Sequence, residues 1–178
     1  MPLPLALLIL LAAVWLVFTS SFLAHELGHA WAARWLGYRP GDIEIGFGPG
    51  LKLRNVTFRL IPLQASVQTL GDPSGWRVSA IALAGPAASM LLGSILLLLG
   101  ADPGPLHGLL QAVAGLNISI GLFNLLPLPP LDGWRALEPF VYFRLGKPNQ
   151  RQQIFMHKAG FAFLGMTGII YLALRGIG

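Results

Sequence analysis

Between Leu3 and Leu23 the sequence is almost unbroken in apolar character, and it runs straight into Ala24-His25-Glu26-Leu27-Gly28-His29-Ala30. An apolar segment of roughly 20 residues has the length to cross a bilayer as a helix. Two imidazoles and a carboxylate at its end are costly in lipid, and intramembrane ionisable groups mark function by default. On an α-helix, residues i and i+4 share a face about one turn apart, so His25 and His29 can grip a single metal ion. Glu26 is rotated off that face and can reach a metal-bound water instead. This is the physical logic of H-E-x-x-H, in which two neutral imidazole ligands work with a carboxylate base.

The rest of the chain has the same character. Of its 178 residues, 54% are hydrophobic and only 11% are charged, whereas a soluble domain typically carries about 25% charged residues. The fold class is therefore an α-helical integral membrane protein, a single domain over residues 1–178. About four transmembrane helices are expected: residues 3–36, 78–100, 106–126 and 153–174. The first has no Lys or Arg before it and is longer than the apolar core of a signal peptide, so it reads as a retained helix. Gly85-Pro86 should bend or locally open the second. Three prolines within Pro127-Leu128-Pro129-Pro130 halt the third and leave an irregular loop over residues 127–133, followed by an amphipathic segment over residues 133–145. Between the first two spans, residues 41–70 alternate apolar and polar positions and contain turn residues, which predicts a small membrane-associated β-hairpin or sheet.

Charge sets orientation. Arg34, Arg39, Lys52, Arg54, Arg59 and Arg77 fall between spans one and two, and Arg135, Arg144, Lys147 and Arg151 between spans three and four. The positive-inside rule makes both connections cytoplasmic, with both termini on the far side and the His pair toward the cytoplasmic end of its helix. Arg175 alone dissents. The net charge of +5 concerns topology and anionic headgroups, since no nucleic-acid motif accompanies it. There are no cysteines, so any transition metal must be held by His and carboxylate groups.

A catalytic zinc usually takes three protein ligands and keeps one position open. His107 begins span three, at the end opposite the pair. His157 neighbours Lys158 and reads as interfacial. Asp132 follows the proline run and precedes Gly133, so its loop can deliver it to a metal. By spacing alone it serves equally well as the N-cap of the amphipathic segment.

The pairing of HELGH in a first transmembrane helix with Asn124-Leu125-Leu126-Pro127-Leu128-Pro129-Pro130-Leu131-Asp132-Gly133 resembles the site-2 protease family of intramembrane zinc metalloproteases. Gly46-Phe47-Gly48-Pro49 and Ile61-Pro62-Leu63 are similar to that family's membrane-associated β-hairpin. The resemblance implies one zinc per chain on His25, His29 and Asp132, with Glu26 as general base. It also implies that Asn124 hydrogen-bonds substrate backbone or the developing oxyanion, and that transmembrane proteins are cleaved. An extended substrate pairing with the β region would meet Val56, Phe58 and Val67, the alternating positions chosen to probe it. Two departures stand out. Ser89 occupies the position where G-P-x-x-N of the family has Asn, and there is no room for a PDZ or CBS domain, which leaves a minimal membrane core. Glu26 argues against a catalytically silent scaffold, and the lack of paired repeats argues against a transporter. A membrane-bound zinc peptidase acting on peptides at the cytoplasmic face remains the nearest alternative. Nothing in the sequence sets the oligomeric state.

Overall fold

The computed structural model describes the backbone of residues 2–175 and the side chains of residues 2–167. The extreme termini, which the charge pattern assigns to the non-cytoplasmic side, lie outside the described residues. Seven elements follow one another: α1 (Leu3–Trp35), β1 (Arg39–Leu53), β2 (Val56–Leu70), α2 (Trp76–Leu99), α3 (His107–Asn124), α4 (Asp132–Leu145) and α5 (Gln150–Arg175). Among the described residues, α1 and α2 are long and apolar enough to cross a membrane. The third and fourth expected spans are helical as α3 and α5, but both are less apolar.

Helix α2 is central, touching α1, α3 and α4. Its contact with α1 is built on small side chains, with Ala32, Ala33 and Ile81 buried together and Ala84 packed against them. Asn117 on α3 donates to Ser21 on α1 at 3.0 Å, a buried polar tie inside an otherwise apolar bundle. Ser79 on α2 donates to the carbonyl of Ala136 on α4 at 2.7 Å. The N-terminal half of α1 leaves Leu3, Leu8, Leu11 and Leu16 exposed, as a lipid-facing surface requires.

Helix α2 continues through Gly85-Pro86, the pair expected to bend or locally open it, as one helical element from Trp76 to Leu99. Proline removes one intrahelical hydrogen bond, yet Pro86 is fully buried here and neighbouring contacts hold the helix. Gly85 has a different role, taken up below.

The β region is one sheet of two long strands; each strand bends, so the outer runs pair antiparallel while residues 43–45 and 56–58 run side by side in the same direction. In β1 the bend follows Gly46 and Gly48, both at positive φ; in β2 it falls near Leu60 and Ile61. Ile43, Glu44 and Ile45 consequently stand opposite Val67, Ser66 and Ala65 on one side and opposite Val56, Thr57 and Phe58 on the other. Gly50 to Leu53 covers the remaining side of Arg59 to Val56. The sheet therefore reads as four short runs, in the spatial order 50–53, 56–59, 43–45, 65–67. Ile43 and Ile45, in an inner run, are buried. The sheet lies along α1, where Trp15 Nε1 donates to the carbonyls of Leu60 at 3.0 Å and Arg59 at 3.3 Å.

Candidate metal centre

His25 and His29 project from α1 toward α2, one turn apart. Asp132 reaches them from the first residue of α4, after the proline run has ended α3 and turned the chain back. That return is tight: a Cβ on Gly133 would lie 2.2 Å from the Leu125 carbonyl oxygen, so only glycine fits. Asp132 is not the N-cap of α4, a position held by Leu131.

The three side chains form a small triangle. His25 Nε2 lies 3.0 Å from Asp132 Oδ2, His29 Nε2 lies 3.2 Å from the same oxygen, and the two Nε2 atoms are 3.3 Å apart. All three residues are buried. The other imidazole nitrogens are engaged by α2. His29 Nδ1 is 2.7 Å from the carbonyl oxygen of Ile81, and His25 Nδ1 is 3.0 Å from Ser89 Oγ. A carbonyl can only accept, so the neutral His29 ring carries its proton on Nδ1 and turns its Nε2 lone pair into the triangle. The ring lies so close to α2 that a Cβ on Gly85 would sit 2.2 Å from His29 Nε2. Gly85 is thus the seat of the imidazole.

The donor set suits a metal. Lone pairs and a carboxylate converging at this range repel one another unless a cation lies among them. Tetrahedral zinc, with metal–ligand bonds of roughly 2.0–2.2 Å, sets its ligand atoms about 3.3 Å apart, close to the three observed edges. Outer contacts such as those of Ile81 and Ser89 are what fix tautomer and ring orientation in metal-binding histidines.

A cavity of about 670 Å³ opens onto this triangle. Glu26, buried beside His25, lines it, as do Asn124 and Val67. Asn124 gives one N–H to the Ile120 carbonyl at 2.9 Å. Val56 and Phe58 are not among its lining residues. Both stand inside the sheet, Val56 between Leu53 and Ile43 and Phe58 between Leu51 and Ile45, so neither offers a free ladder side. The strand edge that does face the cavity is the run from Leu63 to Val67, continuing to Thr69. Sequence alternation marked this run as a strand without showing that it would be the outer one. Ile81 had no side-chain signal at all, because it acts through its carbonyl. Arg135 also lines the cavity and had been read only as a topology charge.

The sequence profile of peptidase family M50 matches residues 13–104 and 100–167, which contain both motifs and every side chain of the triangle. The chain belongs to peptidase family M50. A Synechocystis sp. protein named "Putative zinc metalloprotease sll0528" is 33% identical over 140 residues, covering 76% of this chain and 33% of that protein. The Regulator of sigma-W protease RasP of Bacillus subtilis is 46% identical over 63 residues, 35% of this chain and 15% of RasP. This M50 chain thus spans about a third of the Synechocystis relative. Among solved structures, the site-2 protease from Methanocaldococcus jannaschii shares the fold at a TM-score of 0.63 and 23% identity, over 91% of this chain and 68% of that one.

Proposed function

We propose that this M50 chain is a multi-pass intramembrane zinc metallopeptidase that hydrolyses peptide bonds of transmembrane proteins within or near the bilayer. The observation that supports this most directly is the triangle of His25, His29 and Asp132 in one cavity with Glu26. His25, His29 and Asp132 would hold one zinc ion. Bound there, zinc supplies a water of pKa near 7 and polarises the scissile carbonyl. Glu26 accepts the proton of the attacking water as its oxygen joins the carbonyl carbon. It then returns a proton to the leaving nitrogen as the C–N bond breaks. Asn124 is placed to hydrogen-bond substrate backbone or the oxyanion. The buried walls limit bulk water to what the cavity admits.

A transmembrane helix shields its peptide bonds with its own hydrogen bonds and must unwind before cleavage. The open edge over residues 63–69 offers unpaired N–H and C=O groups in exchange. Of the three positions first chosen for that pairing, Val67 alone lies on this edge. The basic connections support a cytoplasmic orientation for the metal end of α1.

The decisive comparison is Glu26→Gln against wild type in proteoliposomes containing a labelled single-span substrate. General-base catalysis contributes roughly 10²–10⁴-fold, so the amide should retain zinc and lose turnover by about that factor. Equal rates would remove the mechanism.

A further inference from the structure

A second cavity adjoins the one around the metal centre. Pro130 and Arg135 line both, and the second, of about 680 Å³, is bounded by the β2–α2 link, α4 and the first part of α5. The two differ in chemistry. Apolar side chains such as Phe22, Phe123 and Phe161 dominate the first, with Arg135 its one Lys or Arg among the described residues. The second carries Asp72, Glu138, Lys147 and His157. The edge strand leads from one to the other: residues 63–67 and 69 face the metal cavity, and Asp72 to Gly75, just beyond, line the second. A peptide extended along that edge is delivered past Arg135 into the polar space.

The charges there are unevenly matched. Among the described residues, neither Arg135 nor Lys147 lies within ion-pair distance of a carboxylate. Glu138 is engaged by neutral donors, the Trp134 Nε1–H at 3.0 Å and the Tyr142 hydroxyl at 3.2 Å. Among the described residues, Asp72 is the one carboxylate of that cavity with no side-chain hydrogen bond or ion pair, against two cations. A guanidinium with open donors pairs with a carboxylate through charge-assisted, often bidentate hydrogen bonds.

We propose that the second cavity is a subsite for a polar segment that flanks a substrate's apolar stretch, and that Arg135, with Lys147 in the same cavity, selects an acidic side chain there. The inference rests on the reading of residues 63–69 as the substrate-pairing edge. Its test measures binding, not turnover. Fluorescent peptides with one fixed apolar stretch and a tail of Glu-Glu, Gln-Gln or Lys-Lys are titrated into zinc-loaded Glu26→Gln protein in neutral detergent. The Glu tail should bind about tenfold more tightly than the Lys tail, the scale of one charge-assisted pair. R135Q/K147Q should erase the difference, and R135E/K147E should reverse it. Both side chains are exposed, and unchanged zinc content in each variant would report an intact fold. Equal binding of all tails, or a preference that survives charge reversal, overturns the subsite. So does a preference that vanishes in nanodiscs containing phosphatidylglycerol, since the cavity would then take a lipid headgroup. Should wild type hydrolyse membrane substrates while Glu26→Gln binds none of the peptides, the subsite falls and the hydrolytic reading stands. Tail-dependent binding with no turnover in wild type would do the reverse.

Discussion

The Nδ1 atom of His25 lies 3.0 Å from Ser89 Oγ, across the contact between α1 and α2 and shut off from solvent. With Nδ1 as donor, the hydroxyl fixes the tautomer that leaves the Nε2 lone pair for a metal. Losing such an outer contact typically lowers metal affinity about 10–100-fold. Ser89→Ala should therefore weaken zinc binding on that scale, as read by competition with a chelator of known affinity. Ser89→Thr, which keeps the hydroxyl, should recover most of it. An alanine variant with wild-type affinity would reduce Ser89 to a space-filling role.

Purified protein should contain close to one zinc per chain, and His25→Ala, His29→Ala and Asp132→Ala should each lose most of it. Elemental analysis decides the matter. Full zinc retention in Asp132→Ala would place the third ligand elsewhere, despite the 3.0 and 3.2 Å contacts of its Oδ2.

Prolines placed in the sheet should separate its edge from its interior. Successive residues of a strand point their N–H groups to opposite sides, so one of Ser66→Pro and Val67→Pro removes an outward donor from the open edge. That variant should lower kcat/KM at least about tenfold with zinc content unchanged. Val56→Pro and Phe58→Pro strike a run paired on both sides and should instead reduce the yield of folded protein. If neither edge variant affects cleavage, substrate does not pair there.

How much of this could be read from the sequence differs by residue. The facing of His25 and His29 was legible because helical spacing is a local rule, whereas the proline stop and glycine return left Asp132 equally an N-cap, and only the resemblance pointed it to the pair. Val56 and Phe58 misled for a physical reason. Alternation reports that a strand has two faces and says nothing about which neighbours flank it. Lateral order here follows from the bends near Gly48 and Ile61, which fold each strand back against the other. At Pro86 local propensity predicts a bend, while the continuation of the helix beyond it depends on tertiary packing. Ile81 was invisible because a backbone carbonyl has no letter in the sequence.

A topology experiment bears on the orientation. A single cysteine at Asn149, in this otherwise cysteine-free chain, should be labelled by an impermeant reagent only from the cytoplasmic side, as should one in the connection over residues 37–77. Labelling from outside alone would invert the protein and the face on which the metal cavity opens.

At 33 residues, α1 is about 50 Å long, roughly 20 Å more than the hydrocarbon core of a bilayer. Its surplus must tilt or project, and the metal pair lies near that end, with His29 only about 9 Å along the axis from Trp35. Lipid thickness thereby becomes a ruler for the depth of the metal. Long acyl chains draw the pair beneath the headgroups, where water is scarce, and short ones lift it toward them. On the function proposed above, the same polypeptide would then work at different rates in membranes that differ only in the length of their fatty acids.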